Sequence, residues 1–128
     1  MTRDPGRGDE DGLDTATLQG LAQDVGVEQL ALVIGLFADE LARRAADLDR
    51  AREAVDVDGL RRAAHGIKGS ASTFGARRVE AAARRLETDC RSARPPQELA
   101  VACGELLAAM ERSAGWVRRW LAAPGKTE

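Results

Sequence analysis

The single histidine of this 128-residue chain, His65, lies in a stretch of helical periodicity that runs from Leu60 to Glu87. At about 100° per residue, the apolar side chains around it fall on one stripe of a helix. The members of that stripe are Leu60, Ala63, Ala64, Ile67, Ala71 and Phe74. His65 lies well outside the stripe, and its neighbours at helical spacing are Arg61, Lys68, Gly69 and Ser72. The sequence therefore predicts an imidazole that projects from a helix beside two cations and a residue without a side chain.

Three kinds of chemistry fit this histidine poorly. A metal site needs several ligands, and one histidine with two cysteines on different predicted helices, Cys90 and Cys103, is a poor set. A hydrolytic triad could take Ser72 as its nucleophile, but the site is convex and no oxyanion donors are apparent. Nucleic-acid binding by stacking needs aromatic side chains among the basic ones, and this face has none. We therefore expect no metal ion, no cofactor and no nucleic acid at His65.

A nucleophilic imidazole that accepts a phosphoryl group fits the pattern better. Imidazole titrates near neutral pH, so a neutral ring nitrogen is available for attack. Lys68, one helical turn on, can balance the charge of a phosphoryl group, with Arg61 as a weaker contributor. Gly69 removes bulk where another protein would approach, although a glycine there could instead mark close helix packing. A carboxylate on the next helix could hold the other ring nitrogen, and Glu87 is the natural candidate.

Several polar residues near His65 are open to two interpretations. Glu87 could be merely an ion-pair partner of Arg84 or Arg91. Ser72 could line the site or be an ordinary surface residue. Four arginines could form a solvated face or could steer an acidic partner during association: Arg61, Arg62, Arg77 and Arg78.

Composition and charge predict one all-α domain with an acidic partner. Hydrophobic residues make up 44% of the chain but aromatic residues only 3%, which favours closely packed helices over a sheet. No apolar run approaches the ~20 residues of a membrane span or follows the N-terminus as in a signal peptide. We therefore expect a soluble, cytoplasmic protein with reduced cysteines.

The charges are distributed unevenly along the chain. Residues 1–60 carry 6 basic and 14 acidic side chains, whereas residues 61–91 carry 8 basic and 3 acidic. The basic segment therefore favours an acidic partner or phosphate.

Amphipathic periodicity predicts one short helix and four long ones. Residues 1–12 form a predicted disordered tail, and a short helix capped by Asp14 or Thr15 runs to about Asp24, with Gly26 as its break. The long helices are expected at about 27–55, from a cap at Asp58 to Gly75, at about 76–91 and at about 97–122. Short connections make an antiparallel up-down-up-down bundle over residues 13–122 the economical fold, with residues 123–128 as a frayed tail.

The stretch around His65 resembles the signature of histidine-containing phosphotransfer (HPt) domains. The resemblance is carried by Ala64-His65-Gly66-Ile67-Lys68-Gly69-Ser70, by Phe74-Gly75-Ala76 and by Leu86-Glu87. The segment from His65 to Gly75 is also similar to the phosphoacceptor domain of chemotaxis histidine kinases, although Ala76 stands where that subtype has phenylalanine. The resemblance implies a four-helix bundle in which His65 is the phosphoacceptor, Lys68 assists the phosphoryl group, Gly69 admits the partner and Glu87 lies near His65.

By the same resemblance, the chain is an intermediate of a bacterial two-component phosphorelay. It is expected to accept a phosphoryl group on His65 from a receiver-domain aspartate or a histidine kinase and to pass it to another receiver, with Mg²⁺ on the receiver and no catalytic turnover of its own. We expect a stand-alone phosphotransfer protein, because the remaining length contains no kinase, ATP-binding or receiver domain. We also expect it to be a monomer. The alternatives are a non-phosphorylated adaptor or sequestering module for a response regulator, and a phosphate- or nucleic-acid-binding module that uses the basic face.

Overall fold

The computed structural model describes residues 10–123, which form five helices and no strand. A short helix, α1 (Thr15–Val25), precedes four longer ones: α2 (Val27–Glu53), α3 (Val57–Phe74), α4 (Arg77–Arg91) and α5 (Pro96–Ala122). The prediction of an all-α chain with one short and four long helices is confirmed.

The four long helices enclose one apolar core. Helix α3 packs against α2 and α4, and α5 packs against α4 and α2, so that the contacts close into a ring, while α1 lies against α2 and α3. Each long helix buries its periodic apolar stripe, and the large side chains with almost no exposure include Ile34, Phe37, Leu41, Leu48, Ile67, Leu86 and Leu106. Phe37 and Phe74 stack with their ring centroids 4.4 Å apart, which joins α2 to α3. This packing sets the rotation of α3 and α4 about their own axes.

Two glycines end helices at positions that suit a residue without a Cβ atom. Gly26 separates α1 from α2 with a φ of 86°, and Gly75 follows α3 with a φ of 72°. Positive φ carries no steric penalty for glycine, so both residues stop their helices at little cost. Both breaks lie where the sequence predicts them.

The N-terminal cap of α3 differs from the expected one. Asp56, and not Asp58, is the N-cap, because its Oδ1 accepts a hydrogen bond of 2.9 Å from the backbone N–H of Gly59. Asp58 lies in the first turn of α3, where its carboxylate pairs with Arg61 and Arg62. The prediction of Asp58 was wrong because two aspartates two positions apart offer the same side chain, and only the backbone dihedrals show which one precedes the helix.

Replacing Asp56 by alanine is expected to lower the free energy of unfolding by about 1 kcal/mol, since the Gly59 N–H loses its acceptor. Asp58→Ala is the matched control and should lower it less, because it removes only exposed ion pairs. Urea unfolding of both variants measures the difference. A loss in Asp58→Ala that equals or exceeds the loss in Asp56→Ala would show that the cap is assigned incorrectly.

Residues 11–13 pack against the bundle, although the sequence predicts a disordered tail over residues 1–12. The backbone oxygen of Asp11 accepts a hydrogen bond of 2.8 Å from Ser113 Oγ, and Leu13 is 1% exposed. Gly12 lies against the ring of Trp116. The prediction of disorder differs from the structure at residues 10–12. An irregular segment has no periodicity from which its tertiary contacts could be predicted. Residues 1–9 and 124–128 of the two predicted tails lie outside the described residues.

Within residues 10–123, no single helix is long and apolar enough to cross a membrane. Helices α1 and α2 meet the criteria of length and composition only when they are taken together across a bend of 119°.

Candidate functional site

His65 lies near the middle of α3 and points away from the core. Its neighbours Ala64 and Ile67 are completely buried, because they belong to the apolar stripe of the helix. The same rotation of α3 leaves 66% of the His65 side chain exposed. The imidazole is therefore accessible to another protein.

A buried carboxylate from α4 contacts one edge of the imidazole. Glu87 is 2% exposed, and its Oε2 lies 2.8 Å from His65 Nδ1. An ionised carboxylate can only accept hydrogen bonds, so Nδ1 carries the proton and donates a hydrogen bond to Glu87. The other ring nitrogen, Nε2, then keeps a free lone pair in the neutral ring. The contact that the sequence leaves open between Glu87 and His65 is thus present, and it involves Nδ1, so that Nε2 stays free of Glu87.

Glu87 is also held by two cations. Lys68 Nζ donates to Oε1 at 2.6 Å, and Arg91 Nη2 donates to Oε2 at 3.1 Å. The hydrogen bond from Lys68 is the main reason that the pKa of Glu87 is lowered; the bond from His65 and the charges of Lys68 and Arg91 act in the same direction, and burial opposes them. The carboxylate therefore stays ionised at neutral pH although it is buried. Both interpretations of Glu87 apply, since it contacts His65 and also pairs with Arg91.

The lowered pKa of Glu87 makes the stability of the fold depend on pH in a definite direction. A carboxyl group with a depressed pKa in the folded state stabilises the fold above its ordinary pKa of 4.5, and this contribution is lost as the pH falls through the folded-state pKa. Between about pH 5 and pH 3, we expect the free energy of unfolding to fall more steeply for the wild type than for Glu87→Gln. Urea unfolding at a series of pH values measures the two slopes, and parallel slopes would contradict the expectation.

The surface of α3 beside His65 is open at Gly69. A Cβ atom on Gly69 would have no heavy atom within 4 Å, so the packing of the described helices does not require a glycine there. This observation removes the interpretation of Gly69 as a site of close helix packing. Ser72 is also exposed and lies about two turns beyond His65 on the same helix.

The arginines that the sequence proposes as steering charges all have acidic partners. Arg61 and Arg62 both pair with Asp58 at the N-terminal end of α3. The other two pair with the segment before and at the start of α1: Arg77 with Asp14 at 2.7 Å and Arg78 with Glu10 at 2.6 Å. Ion pairs within this fold therefore compensate much of the positive charge of residues 61–91. Two further cations of this segment, Lys68 and Arg91, pair with Glu87.

Sequence reasoning misses one polar network, which joins α3 to α2. Ser70 Oγ donates to Glu40, which also accepts a hydrogen bond of 2.9 Å from Arg44 Nε. The bonds from Ser70 and then Arg44 are the main reasons that the pKa of Glu40 is lowered. The spacing of Glu40 and Arg44 indicates their pairing within α2, but nothing in the sequence indicates Ser70 as the third member.

The two cysteines belong to the core. Cys90 and Cys103 are buried free thiols, and burial is the main reason that the pKa of each is raised. Among the residues that the structure describes, no group of three or more His, Cys, Asp and Glu side chains could hold a metal ion.

The comparisons with known proteins identify the family of the chain. The family model described as "Hpt domain" matches residues 32–116, which include His65, Lys68, Gly69 and Glu87. The chain belongs to the Hpt domain family. This Hpt domain is similar in structure to histidine-containing phosphotransfer protein B (HptB) from Pseudomonas aeruginosa PAO1, with a TM-score of 0.72 and 28% sequence identity, over 85% of this chain and 90% of that chain. The comparison with curated proteins gave no significant match.

The family establishes the general role of the chain. Hpt domains transfer phosphoryl groups through a histidine in two-component phosphorelays, as carriers that interact with receiver domains and kinases. The predicted family and its class of function are confirmed for this Hpt domain.

Proposed function

We propose that this Hpt domain accepts a phosphoryl group on His65 Nε2 and exchanges it with the aspartate of a receiver domain. The observation that carries the proposal is the 2.8 Å contact between Glu87 Oε2 and Nδ1 of an imidazole that is 66% exposed. His65 is the only histidine in the sequence, so the histidine chemistry of the family has one candidate residue here.

Transfer onto the domain begins with attack of the Nε2 lone pair on the phosphorus of a receiver aspartyl phosphate. A P–N bond forms while the P–O bond to the aspartate breaks, and the aspartate leaves as a carboxylate. The ring keeps its Nδ1 proton and becomes positively charged, and the Glu87 carboxylate stabilises that charge. The reverse step returns the phosphoryl group to an aspartate, so the same geometry serves both directions of transfer.

Lys68 supplies positive charge beside the phosphoryl group. Its Nζ donates a hydrogen bond to Glu87 Oε1 and none to His65 Nε2, and 26% of its side chain remains exposed. One helical turn from His65, the ammonium group can attract a phosphoryl oxygen on Nε2 while it keeps Glu87 in place.

The receiver is expected to dock on the outer face of α3. Gly69 leaves open space there, and Ser72 is exposed on the same helix. Arg61 and Arg62 can exchange Asp58 for acidic groups of the receiver, and such rim charges mainly change the association rate. Mg²⁺ belongs to the acidic pocket of the receiver, where it stabilises the charge of the transferred group.

For the four long helices we propose an antiparallel up-down-up-down bundle. The short connections between successive helices and the closed ring of contacts support this arrangement. The bundle of residues 13–122 acts as a cytoplasmic monomer that carries phosphoryl groups without catalytic turnover.

The experiment that tests the function is phosphoryl transfer from a phosphorylated receiver domain to the purified chain. The expected product carries label that is lost in acid and retained in base, because it contains a P–N bond. If no receiver or kinase in a panel labels the folded protein, the proposal is wrong. Binding of the same receivers without label would then favour the adaptor function.

A further inference from the structure

Arg44 of α2 presents an open guanidinium edge beside the residue that follows His65. Its Nε donates to Glu40 Oε2 at 2.9 Å, and Glu40 also accepts a hydrogen bond from Ser70 on α3. Within residues 10–123, neither Nη1 nor Nη2 of Arg44 donates to an acceptor. The anchored Nε therefore leaves the outer edge of the guanidinium available to a ligand, and the side chain is 36% exposed.

The absence of a side chain at position 66 makes room for this guanidinium. A Cβ atom on Gly66 would overlap Arg44 Nη1 and would lie 3.0 Å from its Cζ. Any other residue at position 66 would therefore displace the guanidinium from its place against α3. On a helix, residue 66 is rotated by about 100° from His65, and Gly69 lies between them. Gly69, Gly66 and Arg44 thus form one continuous surface beside the imidazole.

The hollow beside Arg44 carries more positive than negative charge. Arg44 and Arg50 have acidic partners in its lining, whereas Arg43 forms no ion pair in the part of the chain that the structure describes. One further carboxylate would balance the charge of the hollow. A guanidinium with two available Nη groups can bind a carboxylate through two parallel hydrogen bonds. The charged lining residues of the hollow are Glu40, Arg43, Arg44, Asp47 and Arg50.

We propose that Arg44 binds a carboxylate of the docked receiver domain and thereby selects receivers that carry an acidic side chain at this point. The inference rests on the proposed function and deepens it, because it names a residue that determines the choice of partner. Arg44 touches the receiver and not the reacting atoms, so it is a specificity-determining residue. Gly66, Glu40 and Ser70 are positioning residues, since they act through Arg44.

The position of Arg44 fits the area that a receiver must cover. A transient protein–protein interface buries on the order of 500 Å² of each partner, so it extends about 10 Å from its centre. A receiver centred on His65 therefore covers Gly66, which is the next residue, and the guanidinium that lies against it.

Arg44 is better prepared for this contact than the arginines at the N-terminal end of α3. The guanidinium groups of Arg61 and Arg62 both pair with Asp58 through their Nη atoms, so a receiver carboxylate must first replace that aspartate. Arg44 instead holds Glu40 through Nε and keeps both Nη groups available. Because the guanidinium is fixed before the receiver arrives, less side-chain entropy is lost on binding.

The experiment measures the rate of phosphoryl transfer against receiver concentration. The donor is the phosphorylated receiver domain that labels the wild type fastest, and salt is set at about 0.05 M and about 0.5 M. In Arg44→Gln at low salt, we expect the half-saturating receiver concentration to rise about tenfold. The maximal rate should stay within about twofold of the wild type, since Arg44 touches no reacting atom. The difference in half-saturating concentration should shrink at high salt.

The matched control is Arg52→Gln. Arg52 also lies on α2 and pairs with an aspartate, Asp49, at 2.6 Å, but it borders the hollow between α2 and α5. The substitution removes the same charge from the same helix on its other side. Arg52→Gln should therefore transfer like the wild type at both salt concentrations.

Gly66→Ala tests the inference without a change of charge. The new Cβ atom displaces the Arg44 guanidinium, so the half-saturating concentration should rise as it does in Arg44→Gln. Alanine has the higher helix propensity, so the variant should keep its fold. When Arg44→Gln and Gly66→Ala are combined, the rise should equal that of Arg44→Gln alone, because Gly66 acts through Arg44. Additive rises would overturn the positioning role of Gly66.

The outcomes distinguish this inference from the proposed function. A folded wild-type protein that no receiver labels overturns the proposed function and the inference together. If the wild type is labelled, an unchanged half-saturating concentration in Arg44→Gln, or an equal rise in Arg52→Gln, overturns the inference alone. A fall confined to the maximal rate overturns it as well, because Arg44 would then act on the chemistry. If Arg44→Gln does not fold, an unchanged half-saturating concentration in Gly66→Ala overturns the inference.

Discussion

Phosphoryl transfer to this Hpt domain is expected to fall to background in His65→Gln, with the fold retained. No second histidine can replace the acceptor, because the sequence contains only one. Glutamine keeps an N–H donor, but the lone pair of its amide nitrogen is delocalised and cannot attack phosphorus. The loss should therefore be complete, in contrast to the partial losses expected for residues that only assist.

The measurement is transfer of label from a phosphorylated receiver to the wild type and to His65→Gln side by side. Circular dichroism and thermal unfolding provide the control for folding, and the free energy of unfolding should change by no more than about 0.5 kcal/mol because the imidazole is largely exposed. Acid-labile, base-stable label on the folded variant would show that the acceptor is not His65.

The second large effect is expected for Gly69→Gln, which should slow transfer from a receiver at least about tenfold while it stabilises the protein. The new side chain would occupy the open space one turn from His65, where the receiver must approach. Glutamine also has a higher helix propensity than glycine, so the free energy of unfolding should rise by about 0.5 kcal/mol. A variant that is more stable and yet transfers more slowly cannot owe its defect to unfolding.

Gly104→Gln provides the matched control for this substitution. Gly104 lies within α5, and a Cβ atom there would likewise have no heavy atom within 4 Å. The control should gain similar stability and transfer at the wild-type rate. Transfer by Gly69→Gln at the wild-type rate would mean that the receiver does not approach over this part of α3.

The sequence predicts features within single helices well. Leu60, Ile67 and Phe74 define the buried side of α3, and their positions alone place His65 on the outside with Lys68 one turn away. Gly26 and Gly75 mark helix ends because positive φ is a local property of the backbone. The prediction of Asp58 as the N-cap of α3 was wrong because Asp56 lies in the same turn, and a helix can begin after either of them.

Contacts between helices were predicted less completely. The sequence predicts Glu87 as a candidate partner of His65 and equally allows ion pairs of Glu87 with Arg84 or Arg91. The structure combines the contact to His65 with the pair to Arg91, and it assigns Arg84 to Glu80. Helical spacing allows each of these pairs, and only the positions of the neighbouring side chains select among them.

The sequence by itself determined that one exposed histidine lies on an amphipathic helix beside a lysine and a glycine. This follows from 3.6 residues per turn and from the burial of one apolar stripe. Only the tertiary structure decided that Glu87 accepts a hydrogen bond from Nδ1 of His65, that Lys68 and Arg91 share its carboxylate, and that Ser113 donates a hydrogen bond to the backbone oxygen of Asp11. The physical reason is that these contacts join segments far apart in the chain, whose relative rotation and stagger are set by packing in the common core and not by the periodicity of any one helix.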